Sequence, residues 1–150
     1  MRKLSDLLPQ PPWEGPPLPR GLLAKKSKPR NPNGGMTFVD FTVKSPDKTK
    51  SVQLRGMVDT GSTLTRIPTK VAQELGLEVF LRDVPSRLAT GQTVPSDLAR
   101  GYLEVKDKEA YDVFAVLEAE TAAIGVVTLE AMGYKVNPVT GELEETEIYI

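Results

Sequence analysis

The sequence predicts a mainly β domain, and three observations carry that expectation. Short runs of alternating apolar and polar residues recur between clusters of Gly, Pro, Asn and Asp. Only two helical patterns appear, and both are brief. One alternating run, Val52-Gln53-Leu54-Arg55-Gly56-Met57-Val58-Asp59, passes directly into Thr60-Gly61-Ser62, so a strand delivers a carboxylate to a tight turn.

Taken in order, Met36 to Val43 reads as the first strand and Ser45-Pro46-Asp47-Lys48 as a polar turn. Ser51 to Val58 returns as its antiparallel partner, with Val52, Leu54 and Val58 as the apolar positions. Asp59 then sits at the strand exit. Thr60 and Gly61 suit a tight turn, Gly61 through its tolerance of positive φ, and the Ser62 hydroxyl is placed to donate a hydrogen bond back to the carboxylate. Ile67-Pro68 opens a short helix from Thr69 to Leu75, with Val71, Ala72 and Leu75 as its buried stripe and Gly76 as its stop.

Glu78 to Leu81 and Ser86 to Ala89 read as two short strands, and Gly101 to Val105 as a third with Leu103 and Val105 on one face. Tyr111 to Leu117 is apolar at nearly every position, the pattern of a central strand covered on both faces. Ala122-Ala123-Ile124-Gly125 leads into a short helix within residues 126–133, and Tyr134 to Leu143 reads as strand, turn, strand. The C-terminal stretch from Glu142 to Ile150 puts Ile148 and Ile150 on one face. An apolar edge of that kind invites pairing with another chain.

Composition narrows the chemistry. At 150 residues with 39% apolar content, the chain suits one domain with one modest core. The net charge of −1 argues against a nucleic acid or an anionic membrane as a partner of the whole chain. His and Cys are both absent, which removes disulfides, thiol nucleophiles, Ser-His triads and the commonest zinc sites. The acidic residues of the second half show no metal-ligand spacing, and no Gly-Lys-Ser/Thr phosphate loop occurs. No metal or cofactor is expected, and with no leader-like or membrane-length apolar run the cytoplasm is the expected location.

Residues 1–34 differ from the rest. Eight of the thirteen Pro residues lie there, and up to residue 33 seven Lys or Arg face two acids, so this basic, Pro-rich stretch is expected to be a flexible tail. A sharper reading has Trp13 and its neighbouring prolines occupying a substrate cleft until displaced. Asn31-Pro32-Asn33-Gly34-Gly35 marks the boundary, and the folded domain is expected over residues 35–150.

Asp59-Thr60-Gly61-Ser62, followed downstream by Ala122-Ala123-Ile124-Gly125 and a helix and closed by strand, turn, strand, resembles the retropepsin-like (retroviral-type) aspartic peptidases. The likeness is to the small single-domain bacterial and archaeal type and covers roughly residues 35 to 145. It implies a closed β-barrel-like lobe with two short helices and a flap hairpin. Two carboxylates about 3 Å apart share one proton in such enzymes, because both cannot be ionised at that distance. Since this chain has one Asp-Thr-Gly, the resemblance implies a homodimer in which each subunit supplies one Asp and activated water cuts a peptide or protein substrate.

The resemblance further implies Asp59, Thr60 and Gly61 as the catalytic loop and places the flap over residues 88–97. The residues expected to bind substrate are Ser62, Ile67, Ala89, Thr90, Gly91, Thr93, Val94, Ile124 and Gly125, with Val58 as a further apolar wall. Arg66 is read as a solvated side chain in preference to a contact for an acidic substrate residue. In two places the chain departs from the retroviral pattern, with Thr63 and Val126 where an acid and an Arg form an ion pair that braces the dimer. The dimer contact must therefore come from elsewhere, and the C-terminal edge, with Met36 to Phe38, is the candidate. The alternative is a non-catalytic peptide-binding or dimerisation module on the same fold.

Overall fold

The computed structural model describes residues 36–148 and 150. The Pro-rich tail expected over residues 1–34 lies outside the described residues, as does Tyr149. In chain order the elements are β1 (Phe38–Lys44), β2 (Ser51–Asp59), β3 (Thr65–Pro68), α1 (Thr69–Leu75), β4 (Glu78–Arg87) and β5 (Thr93–Val105). There follow β6 (Lys108–Leu117), β7 (Ala122–Gly125), α2 (Val126–Ala131), β8 (Tyr134–Val136) and β9 (Leu143–Glu145).

Seven strands form one sheet in the order β1-β2-β7-β3-β6-β5-β4, and β1 pairs back onto β5. That extra pairing, Thr42↔Glu104 through Lys44↔Tyr102, closes β1, β2, β7, β3, β6 and β5 into a barrel and leaves β4 outside the ring. Two of the contacts are parallel: β2 with β7, and β3 with β6. Both bring strand ends together at the same place, because β2 ends at Asp59 opposite Gly125 and β3 begins at Thr65 opposite Phe114. β8 and β9 form a separate hairpin.

Alternation along the strands decides what fills the barrel. Phe41, Val43, Ile67, Leu103, Val105, Phe114 and Ile124 point inward and are almost fully buried, each such side chain contributing about 2 kcal/mol of transfer free energy. α1 seals one side with Val71, Ala72 and Leu75 and stops at Gly76, whose φ of 62° is a left-handed cap. From α2 and β8, Leu129 and Tyr134 are buried in the same core, and the Tyr134 hydroxyl donates to Val105 O at 3.3 Å and Asp107 Oδ1 at 3.1 Å.

Two details of the sequence reading are corrected. The segments read as separate strands at Glu78 to Leu81 and Ser86 to Ala89 are one strand, β4, broken in register between Val79 and Val84. Asp83 there adopts φ 53°, its N–H donates to Asp97 Oδ1, and Arg82 pairs with the same carboxylate, so a bulge interrupts the periodicity without ending the strand. β6 is not covered on both faces. Phe114 and Val116 are buried, while Tyr111 is 52% exposed and packs edge-on to Tyr102 on the outer surface. No helix among the described residues is long and apolar enough to cross a membrane.

Candidate active site

The site is assembled where β2 ends. Asp59 is half-buried, and its Oδ1 accepts the Gly61 N–H at 2.9 Å, while Ser62 N–H closes the turn onto Asp59 O at 3.2 Å. The Ser62 hydroxyl does not return to the carboxylate as the sequence suggested. It donates to Leu64 O and locks the following residues into the loop. Gly61 is also not among the residues with positive φ, so its role rests on its backbone N–H. Thr60 is exposed at the tip, and its hydroxyl has no hydrogen-bond partner among the described residues.

β7 and β3 press on this loop from behind. Gly125 donates its N–H to the fully buried Thr65 Oγ1 at 3.3 Å. A Cβ at Gly125 would stand 2.9 Å from Ser62 O and 3.2 Å from Leu64 C, so the loop holds its position only because that residue has no side chain.

The β4–β5 hairpin reaches over the loop. Its tip is closed by Leu88 N–H to Gln92 O and Gly91 N–H to Leu88 O, both 2.9 Å, with Gly91 at φ 87°. This is a three-residue hairpin loop with a left-handed Gly. Lower down, the Ser86 and Ser96 hydroxyls hydrogen-bond across the two strands. Between the hairpin and the loop lies a cleft of about 610 Å³, a size suited to a small ligand or a few residues of a peptide. Asp59, Gly61 and Ser62 line one wall, Ser86, Arg87, Leu88 and Ala89 the other, and Arg66, Ala115 and Ala123 the floor between them.

Of the residues expected from sequence, Asp59, Gly61, Ser62 and Ala89 meet in this cleft. Ile67 and Ile124 do not: each is fully buried in the barrel. Their neighbours Arg66 and Ala123 take those places, since successive strand residues point to opposite faces and the large apolar member of each pair belongs to the core. Thr90, Gly91 and Thr93 are exposed at or beside the hairpin tip, and Val94 is half-buried on β5 without lining the cleft. Val58 packs half-buried against the core, and Gly125 buttresses the loop from behind. Arg66 is not a freely solvated side chain, because its Nε is buried and has no hydrogen-bond partner. The signal that marks Arg66 in the sequence is a charge at the outward position of Thr65-Arg66-Ile67-Pro68.

The family model for aspartyl proteases matches residues 41–136, a span that runs from β1 through the Asp59 loop and the hairpin to β8. The chain belongs to the aspartyl protease family. Solved structures are similar to this chain. The EIAV protease complexed with the inhibitor HBY-793 is 17% identical, with 75% of this chain and 96% of that chain covered and a TM-score of 0.50. A retropepsin-like aspartic protease from Rickettsia conorii is 18% identical, with 73% of this chain and 81% of that chain covered and a TM-score of 0.49. No curated protein matches the sequence. The folded domain is thus a retropepsin-like barrel, with the Asp-Thr-Gly-Ser turn at the mouth of its cleft.

Proposed function

We propose that this member of the aspartyl protease family is an aspartic endopeptidase that works as a homodimer, each subunit giving one Asp59 to a shared carboxylate pair. The observation that carries the reading is the state of Asp59: half-buried in a cleft under a hairpin, held by one backbone N–H and by no cation among the described residues. A carboxylate so placed has lone pairs free for water and for a second carboxylate. In the dimer one carboxylate takes a proton from water as the oxygen attacks the scissile carbonyl carbon, and the protonated partner gives its proton to the carbonyl oxygen. The tetrahedral intermediate then breaks its C–N bond as a proton passes to the leaving nitrogen. Neither metal nor cofactor enters the scheme.

The unpartnered Thr60 hydroxyl fits a contact across the two-fold axis, beside the second Asp59. Ile148 is 55% exposed and Ile150 fully so, and such exposed apolar side chains support a role in the dimer contact. Residues 1–34 act as a tail appended to the domain, and the protein works in the cytoplasm on peptide or protein substrates.

Subunit mixing tests the scheme. When the parent and Asp59→Asn proteins are mixed in equal amounts and allowed to exchange, only about a quarter of the dimers keep both carboxylates, so the activity falls to about a quarter of that of an all-parent sample. Activity that falls only to half would mean that each subunit works alone. Truncation after Glu145 is expected to yield monomers in analytical ultracentrifugation, and a truncated protein that stays dimeric defeats the assignment of the C-terminal edge.

A further inference from the structure

The described residues contain five arginines, and three of them are engaged. Arg82 pairs with Asp97, Arg55 lies over the Phe38 ring and Arg100 lies over the Phe80 ring. The two with no hydrogen bond, ion pair or ring contact among the described residues are Arg66 and Arg87, and both line the cleft that holds Asp59. They stand on separate elements, Arg66 on the β3 floor and Arg87 at the end of β4, next to the hairpin tip. Among the described residues, Asp59 is the only acidic one in the lining.

A guanidinium in this state is under-satisfied. Arg66 Nε is shut off from solvent with no acceptor, which carries a desolvation cost that water cannot relieve. Its remaining nitrogens have no partner among the described residues and belong to a residue that faces the cleft. Strand geometry keeps the side chain there, because the opposite face of β3 is the packed core around Ile67. An incoming carboxylate would give that charge the acceptor it lacks, in planar two-point geometry, at a site partly withdrawn from water.

We propose that Arg66 and Arg87 form an anion-binding subsite, so that the preferred substrates carry a Glu or Asp side chain near the cut bond. This rests on the peptidase reading of the same cleft and adds the substrate class to it. Arg66 is the inner, orienting contact. Arg87, exposed beside the hairpin tip, meets the same side chain as the flap comes down.

The test uses fluorogenic peptides with one apolar cleavage core and a single Glu, placed in turn at each flanking position, against the same peptides with Gln. At one position the parent is expected to cleave the Glu peptide with a kcat/KM at least about tenfold higher than the Gln peptide, with the preference shrinking as salt rises. In Arg66→Gln the Glu/Gln ratio should collapse towards one, and Arg66→Glu should favour a Lys peptide at that position. Arg87→Gln, an exposed change with no bearing on folding, should lower the ratio part of the way. Equal cleavage of Glu and Gln peptides by the parent at every position, or an undiminished ratio in both Gln variants, overturns the subsite while leaving the peptidase intact. Fluorescence anisotropy with the same peptides separates the two ideas: Arg66-dependent, Glu-selective binding with no cleavage of any peptide keeps the subsite and defeats the peptidase. Absence of both cleavage and selective binding defeats both.

Discussion

Two aspartates lie in turns at the two ends of β2, and they are treated in opposite ways. Asp47, in the turn that enters the strand, has its Oδ1 saturated: the Ser45 hydroxyl donates at 2.7 Å, Thr49 N–H at 3.0 Å and the Thr49 hydroxyl at 2.7 Å. These donors, led by the Thr49 N–H, hold its carboxyl down to a pKa of about 2. Asp59, at the exit, accepts one N–H and opens onto a cleft. Both sequences, Ser45-Pro46-Asp47-Lys48-Thr49 and Asp59-Thr60-Gly61-Ser62, set hydroxyls beside a carboxylate. Only in the first do the hydroxyls reach it. A carboxylate consumed by its own turn is structure, and one left short of donors is available for chemistry.

The largest effect that tests this contrast is at the two carboxylates themselves. Asp59→Asn is expected to lower kcat/KM for any cleaved peptide by about 10³-fold or more, the scale of losing a general acid–base group. Asp47→Asn should leave kcat/KM within about twofold, since the turn lies outside the cleft and surface changes of this kind rarely propagate. Equal losses in the two variants would erase the distinction.

Next in size is the support behind the loop. Gly125→Ala places a methyl group against Ser62 O and Leu64 C, both backbone, and should destabilise the fold by about 1–3 kcal/mol. Activity should fall with it, at a temperature where the variant is still folded, because the displaced loop is the one that carries Asp59. Urea titration paired with peptide kinetics reads both effects. A milder change is expected at the flap, where Gly91→Ala meets no steric obstacle but holds φ at 87°, at a cost of about 1 kcal/mol. KM should rise more than stability falls, as the tip no longer turns as readily over substrate.

The smallest effect is the pH signature of Asp47. Its carboxyl is lowered from 3.8 to about 2 in the folded protein, so the unfolded chain takes up the proton first on acidification. The stabilisation is therefore complete above about pH 4 and is lost as the pH falls through about 2. The difference in urea midpoint between parent and Asp47→Asn should be flat from neutrality to about pH 5 and vanish near pH 2. A difference that persists at pH 2 would show that the turn is held by something other than the carboxylate.

Much of the fold was legible because its cues are local. α1 runs from Thr69 to Leu75 as the Pro68 and Gly76 signals indicate, and β7 followed by α2 falls where the apolar stretch ending in Gly125 places it. β4 was harder, since a bulge at Asp83 imitates a strand end unless the partner Asp97, far along the chain, is known. At the site, the sequence located Asp59 and the hairpin but chose Ile67 and Ile124 where Arg66 and Ala123 face the cleft. Apolar character alone does not separate a cleft wall from a barrel interior, and one step along a strand exchanges the two.

β4 hangs outside the closed ring and, among the described residues, is paired on one side only, with β5. Its other side is a row of backbone groups of the kind on which foreign strands polymerise. The register breaks, the left-handed Asp83, the charged Arg82 and the missing N–H of Pro85 roughen that row, so it makes a poor template for fibrils. The same irregularities that hid the strand in the sequence thus guard the outer arm of the barrel against aggregation.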